Sequence, residues 1–413
     1  MSLYDKASIA LIPSGTKASK LYSVLPANGN GDFTHSRGST ATRINKDGLI
    51  ESVANNVPRL DYPLTSGVVG DCPHLLLEPQ RTNSILYSNG FDDSSWSKGT
   101  GGTASAPTVT ANQGTSPDGS NNAYKIVFDL GGGTSSSDRS RLTQAVTGSS
   151  STSYAFSFYA KAFSSTDVGK IVNFSVDNVS NENANFTLTS EFQRFTFIGT
   201  STGTTINQHI QLRGNLSTSD SVSMLLFGYQ MEESSYVTSY IPTTNSAITR
   251  SADACNGSGT SADINSEQGV FFAEIAALSD ADLIHRRITL SDASTSNVIR
   301  IAYDTGSQRI TVVVFNGGSN QCVFQATSSN SAITDVLDFN KVALSFKENE
   351  FKCFINGTQF SSTDTSGNTF SANTLTELAF DNGGGGNVFL GKCKQLIVFN
   401  EAFTDAELTT LTT

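Results

Sequence analysis

Charge is scarce in this chain: Asp, Glu, Lys and Arg make up 15% of its 413 residues, and no run of Lys or Arg interrupts it. With no basic stripe to release counterions, and with a formal net charge of −11, it is not built to bind nucleic acid or to dock on an anionic membrane surface. Long apolar runs are missing as well, and none approaches the ~20 residues that a membrane-spanning helix needs. The opening Met1-Ser2-Leu3-Tyr4-Asp5-Lys6 lacks a basic segment followed by an apolar stretch, so no secretory signal is expected. The five cysteines, Cys72, Cys255, Cys322, Cys353 and Cys393, include no pair at CxxC spacing. That argues against a zinc site and reads as thiols used as small hydrophobes; a disulfide in the C-terminal region is left open.

The signatures of catalysis are missing too. No segment has the ExDxxE spacing that would set two carboxyls ~5 Å apart for retaining glycoside hydrolysis. Glu348 and Glu350 fall at a hairpin turn and read as solvated carboxylates. None of the four histidines, His35, His74, His209 and His285, sits in a nucleophile-elbow context, and each reads as structural. Gly131-Gly132-Gly133 and the run Gly383 to Gly386 are not followed by the Lys-Ser/Thr of a phosphate loop, so they read as sandwich-edge loops. Asp280, Asp282 and Asp381 show no calcium-loop spacing. The expectation is therefore no enzyme, no metal and no cofactor.

What the chain does have is Ser, Thr, Asn and Gly in long stretches, with 26 Phe and 11 Tyr spaced through short apolar runs. That pattern predicts many short strands joined by polar turns, an all-β protein whose length implies two or three domains. Residues 1–84 are the least β-like and are rich in Arg, carboxylates and Pro; Asp47-Gly48 marks a hairpin there. Residues 85–250 alternate with period two at Tyr124 to Phe128, Ser153 to Lys161, Val172 to Val176, Phe195 to Ile198 and Ile206 to Leu212, and Val222 to Glu232 reads as a more fully buried final strand. About eight such strands predict a jelly roll. Residues 251–413 repeat the texture, with a hairpin at Asn356-Gly357 and a short terminal helix capped by Thr404 and Glu407.

Several blocks carry a resemblance. Leu11-Ile12-Pro13-Ser14-Gly15, Gly31 to Arg43, Asp47 to Glu51, Val57 to Tyr62 and Leu77 to Asn83 resemble an N-terminal module of bacteriophage head-spike and fibre proteins. Leu86-Tyr87-Ser88-Asn89 to Trp96, Gly228 to Glu232, Thr238 to Thr244 and Thr249 to Asp253 are similar to the opening and closing phrases of carbohydrate-binding-module jelly rolls. Val342 to Phe346, Phe354-Ile355-Asn356-Gly357 and the closing strand and helix resemble laminin-G or concanavalin-A-like sandwiches.

The architecture expected is an extended N-terminal attachment module (1–84) followed by two antiparallel β-sandwiches, a jelly roll (85–250) and a laminin-G/concanavalin-A-like domain (251–413). The resemblance implies a fibre or spike subunit on the outside of a phage particle, homotrimeric, rooted on capsid or tail proteins and exposing its sandwiches to host-surface glycans or proteins. The residues expected to carry attachment are Arg37, Arg43, Arg59, Asp61 and Arg81, through bidentate ion pairs against a neighbour. Trp96 is the one candidate for stacking on a sugar, but its position in the opening phrase of the jelly roll favours a core or interface place. A polysaccharide depolymerase, a ligand-free capsid decoration protein and a secreted adhesin are the rival readings.

Overall fold

Period-two alternation decides most of the local structure. In Thr205–Arg213 the side chains of Ile206, Ile210 and Leu212 enter the core while Asn207 and Arg213 stay at the surface. Ser153–Ala162, Ile171–Asp177 and Ser221–Glu233 are buried almost continuously, as strands covered on both faces are. The computed structural model describes residues 2–65, 67–180, 183–280, 286–304, 308–330 and 333–413, so Asp282 and His285 lie outside the described residues. With 49% strand and 5% helix the chain is all-β. No helix among the described residues is long and apolar enough to cross a membrane.

The middle region is a sandwich of two five-stranded antiparallel sheets. One has the order Ser97–Gly101, Arg139–Thr147, Thr205–Arg213, Ile171–Asp177, Asn183–Thr187. The other has the order Ser105–Thr110, Tyr124–Asp129, Ser221–Glu233, Ser153–Ala162, Gln193–Thr200. Their inner faces share a core that includes Phe128, Leu142, Phe156, Phe174 and Met224, with Phe158 and Tyr229 stacked at 5.6 Å. The ten strands exceed the eight expected because some alternate without apolar residues. Arg139–Thr147 turns Ser140 and Gln144 inward, and Gln144 bonds both the N–H and the C=O of Leu86 at 2.8 and 2.9 Å. A side chain that satisfies backbone groups this way is paired although it is buried and polar.

The N-terminal residues are not a separate extended module. Ala7–Leu11 pairs with one end of Gly391–Phe399, in the register Leu11 to Leu396, and His74–Leu77 pairs with the other, Leu75 to Cys393. Arg59–Asp61 continues the same sheet beyond His74–Leu77. Gln268–Ala277, Asn340–Lys347, Glu350–Ile355 and Thr358–Asp364 complete it. The facing sheet is built from Ser319–Thr327, Arg309–Asn316, Val298–Tyr303, Arg286–Ser291 and Glu377–Ala379. Ile9, Leu11, Leu21, Phe33, Leu60, Leu75 and Leu77 belong to one core with Phe271, Leu344 and Leu396. The boundary at residue 84 therefore divides residues that share one sheet. The jelly roll is inserted between two halves of that sandwich, and Arg81–Asn83 pairs with Ile248–Arg250 where the chain enters and leaves it.

The local signals read in the sequence are in place. Asn356 and Gly357 both take positive φ, 49° and 82°, as a tight hairpin between Glu350–Ile355 and Thr358–Asp364 requires. The helix Asp405–Thr412 starts at Thr404, whose hydroxyl accepts from the Glu407 N–H while the Glu407 carboxylate accepts from the Thr404 N–H.

Candidate functional site

Two polar assemblies stand out, one buried and one open. The buried one lies where the N-terminal segment, the linker around 250 and the root of the jelly roll meet. Asp253 accepts from Arg37 Nη1 at 3.0 Å, from His35 Nε2 at 3.3 Å, from Arg59 Nη2 and from the Glu78 N–H at 2.9 Å. Glu78 accepts from Arg59 Nη1 at 2.5 Å, from Ser239 Oγ at 2.6 Å and from the Ser239 N–H at 2.8 Å, with Arg250 Nη1 3.0 Å away. Arg250 also donates to Thr238 Oγ1 at 3.1 Å, and Thr238 donates its N–H to the buried Glu232 at 2.9 Å. Every side chain in the Arg37, Arg59, Arg250, Glu78 and Asp253 set is at most 4% exposed. Burial pushes Glu78 up, but Arg250 and Arg59 outweigh it and hold its carboxyl at about 2. Burial acts the same way on Asp253, where Arg59, the His35 bond and Arg37 prevail and keep it well below the usual range.

Beside this network lies a cavity of about 190 Å³ lined by Arg43, Asp61, Glu78, Tyr159, Arg194 and Lys392 among others. Asp61 accepts the Ile44 N–H at 2.7 Å and stands 3.4 Å from His74 Nε2. Burial raises its carboxyl from 3.8 to about 6, and burial together with Lys392 and Lys394 lowers His74 to about 3. A carboxyl raised above its unfolded value favours the fold while protonated. That contribution is complete below 3.8 and is lost as pH rises through about 6. Asp61→Asn should therefore stabilise the protein by about 1–3 kcal/mol near neutral pH, with the gain vanishing toward pH ~4. Thermal unfolding across that pH series reads the effect; a gain that does not depend on pH would refute it.

The open assembly covers the outer face of the jelly-roll sheet that contains Arg139–Thr147. Strand register puts the outward side chains in rows. Gly99, Arg141, Gln211, Asn173 and Asn185 form one; Ser97, Thr143, His209, Ser175 and Asn183 form the next. Arg139 and Arg213 are paired across the strands at one end, and Asn207 and Asp177 at the other. Thr143 Oγ1 and His209 Nδ1 are 2.7 Å apart, and His209 Nε2 is 3.2 Å from Asp177. Gln211 Nε2 donates to Ser175 Oγ at 2.9 Å, and Asn173 Nδ2 donates to Asn185 Oδ1. Burial lowers His209, against the pull of Asp177, so the ring is neutral at neutral pH and its two nitrogens are fixed by Thr143 and Asp177. The Oδ1 of the fully buried Asn173 has no partner among the described residues. A recess of about 220 Å³ lies over this face. It is a preordered array of amides, hydroxyls and guanidiniums, suited to a ligand that offers many hydrogen-bonding groups.

The residues expected from the sequence are distributed differently. Arg37 and Arg59 do form the ion-paired network, but its other members belong to the same chain, and full burial removes both from contact with a neighbour. Arg43 pairs with Glu51 at 2.8 Å. Arg81 lies over the Tyr236 ring at 5.2 Å. Asp61 faces the cavity. Trp96 is 1% exposed, donates Nε1–H to the Tyr87 carbonyl at 3.1 Å and packs edge-on to Phe91 and Tyr229. It is a core residue and no sugar can stack on it as placed. Asp381 receives the Gly383 N–H at 2.7 Å, and Glu350 pairs with Lys347 and Lys352. All five cysteines are free thiols, with Cys72 exposed. The sequence expectations include only His209 of this face, as a structural histidine, and none of Arg139, Arg141 and Arg213; the spacing of these residues at every second position on adjacent strands is the signal that could have found them.

Comparison with known proteins agrees with the C-terminal expectation. Residues 276–409 match the family described as the concanavalin A-like lectin/glucanases superfamily. Among solved structures, the chain is similar to the CBM40 of Ruminococcus gnavus IT-sialidase bound to α2,3-sialyllactose, at 17% identity and TM-score 0.30, over 36% of this chain and 83% of that one. It is similar to domain 4 of AbnA, a GH43 extracellular arabinanase from Geobacillus stearothermophilus, in complex with arabinotriose, at 12% identity and TM-score 0.29, over 39% and 73%. It is also similar to mouse laminin α1 chain domains LG4-5, at 11% identity and TM-score 0.23, over 75% and 93%. No curated protein matches the chain.

Proposed function

We propose that this protein is a glycan-binding structural subunit that contacts its ligand through the outer face of the jelly-roll sheet and performs no catalysis. The observation that carries the reading is the Thr143–His209–Asp177 chain beside Gln211, Asn173 and Ser175, spread over three strands at the floor of a recess rimmed by the half-exposed Arg139, Arg141 and Arg213. Sugars present dense hydroxyls that donate and accept, and this face offers both functions at fixed positions. The lectin-like match of residues 276–409 supports a setting in which carbohydrate is the ligand. With no aromatic ring lining the recess among the described residues, binding rests on hydrogen bonds, so a single site is weak and repetition on an oligomer or particle supplies avidity.

The setting we propose is the exterior of a bacteriophage particle, on the strength of the N-terminal blocks from Leu11 to Asn83, with a homotrimer as the assembled form. Since Arg37 and Arg59 are internal, attachment to capsid or tail would use the outer surface of residues 1–84 rather than these arginines. Cryo-electron microscopy of the particle, and light scattering of the purified chain, test these two statements; no matching density or a stable monomer would remove them.

For binding itself, His209→Ala combined with Gln211→Ala should weaken retention on a glycan array roughly tenfold or more, since each lost hydrogen bond is worth about 1 kcal/mol. Unchanged binding by the double variant would refute this face as the site. Loss of capsule viscosity on incubation with the purified protein would favour the depolymerase reading instead.

A further inference from the structure

We propose that the ligand of this face is an acidic glycan, read through a sugar carboxylate by Arg139 and Arg141; the inference rests on the glycan-binding reading above. In a chain of net charge −11, cations have carboxylates to choose from. Arg37, Arg43, Arg59, Arg250 and Arg309 each pair with one. Arg139 and Arg141 pair with none among the described residues, and Arg213, across from Arg139, is held only by the Ser136 carbonyl at 3.1 Å. The three guanidiniums thus gather at one end of the recess, while Asp177, the one carboxylate lining it among the described residues, lies at the other and is engaged by His209.

The neighbouring strand is shaped to hold them there. Ser97–Gly101 places Gly99 opposite Arg141 and Gly101 opposite Arg139. A Cβ on Gly99 would come within 2.9 Å of Arg141 Nε and 3.1 Å of its Cγ, and one on Gly101 within 2.7 Å of the Ser137 carbonyl oxygen and 3.2 Å of Arg139 Cγ and Nε. Two glycines in a strand weaken it, and they have a packing reason here: they let the arginine stems lie flat across the sheet. Flat stems leave less rotamer freedom to lose when a planar anion is bound, which suits a guanidinium reading a carboxylate by two parallel hydrogen bonds. Successive outward positions on a strand are ~7 Å apart, so one sugar ring spans the distance from the arginines to Gln211 and His209.

The test uses the full chain and two acidic probes of different origin, 3′-sialyllactose and a galacturonate oligomer, each against its neutral counterpart, lactose and the carboxyl-reduced oligomer. Titration calorimetry of the wild type should show at least one acidic probe binding roughly tenfold or more tightly than its neutral partner, with the preference shrinking as salt rises. Which probe wins identifies the source of the carboxylate. Arg141→Gln should abolish the preference, and Arg139→Gln should reduce it, while Arg141→Lys restores it in part. Both positions are half-exposed, and Trp96 fluorescence on unfolding verifies that the variants fold. Equal binding of acidic and neutral probes, unmoved by Arg141→Gln, overturns this inference and leaves glycan binding standing. No binding of any of the four overturns both.

Discussion

Asp253→Ala should destabilise the protein by about 3–5 kcal/mol, because it leaves Arg37 and Arg59 buried without their shared carboxylate. The same substitution at Asp47, whose exposed side chain pairs with Lys46, should change stability by well under ~1 kcal/mol. Urea unfolding followed by Trp96 fluorescence and by circular dichroism reads both, and equal effects would mean that the buried network is no more than ordinary pairing. The pH dependence separates the electrostatic from the packing contribution. Glu78 falls from 4.5 in the unfolded chain to about 2 in the fold, and Asp253 is depressed in the same direction. Such groups stabilise fully above their unfolded values, and the contribution is lost as pH falls from about 4.5 toward 2. Wild type should therefore lose stability steeply over that interval, and Asp253→Asn should flatten the loss while starting from a lower plateau.

How far the sequence reveals this arrangement depends on how local each determinant is. The capping box at Thr404 and Glu407 and the Asn356-Gly357 turn act over a few residues, and both are where the sequence puts them. Strands such as Ser221–Glu233, whose buried run from Met224 to Met231 is almost continuous, are equally plain. Arg139–Thr147 is hidden because Ser140 and Gln144 occupy inward positions, and Ser97–Gly101 because its glycines mask a strand that exists to pass under two arginines. Arg250 and Asp253 sit in a polar, proline-bearing stretch that reads as a linker, and only the fold shows that they complete an ion network with Arg37, Arg59 and Glu78. For Trp96 the sequence favours a core or interface place over sugar stacking, because it belongs to the opening phrase of the jelly roll and not to a loop tip, and the Tyr87 carbonyl and the rings of Phe91 and Tyr229 hold it in the core. His209 was recognisable as a strand residue among Ile206, Ile210 and Leu212, but its partners Thr143 and Asp177 come from other strands.

Removing residues 1–84 should unfold the C-terminal sandwich rather than release it as a free domain. Gly391–Phe399 would lose both Ala7–Leu11 and His74–Leu77, leaving unpaired backbone along an edge that is internal in the intact sheet. The core would lose Ile9, Leu11, Leu21, Phe33, Leu60, Leu75 and Leu77, each fully or almost fully buried. At about 1.5–3 kcal/mol for each such side chain, the deficit is on the order of 10–20 kcal/mol, as large as the whole stability of a typical domain. A piece spanning 251–413 should accordingly be insoluble or show no cooperative thermal transition, whereas the inserted jelly roll, 85–247, keeps both of its sheets and its own core and should fold alone. Supplying residues 1–84 as a separate chain should restore a cooperative transition to the 251–413 piece if strand pairing is the missing element. A well-folded 251–413 fragment would mean that the N-terminal strands merely decorate a self-sufficient sandwich. Complementation would instead identify residues 1–84 as an integral part of the sandwich, with the jelly roll as an insertion joined to it at Arg81–Asn83 and Ile248–Arg250.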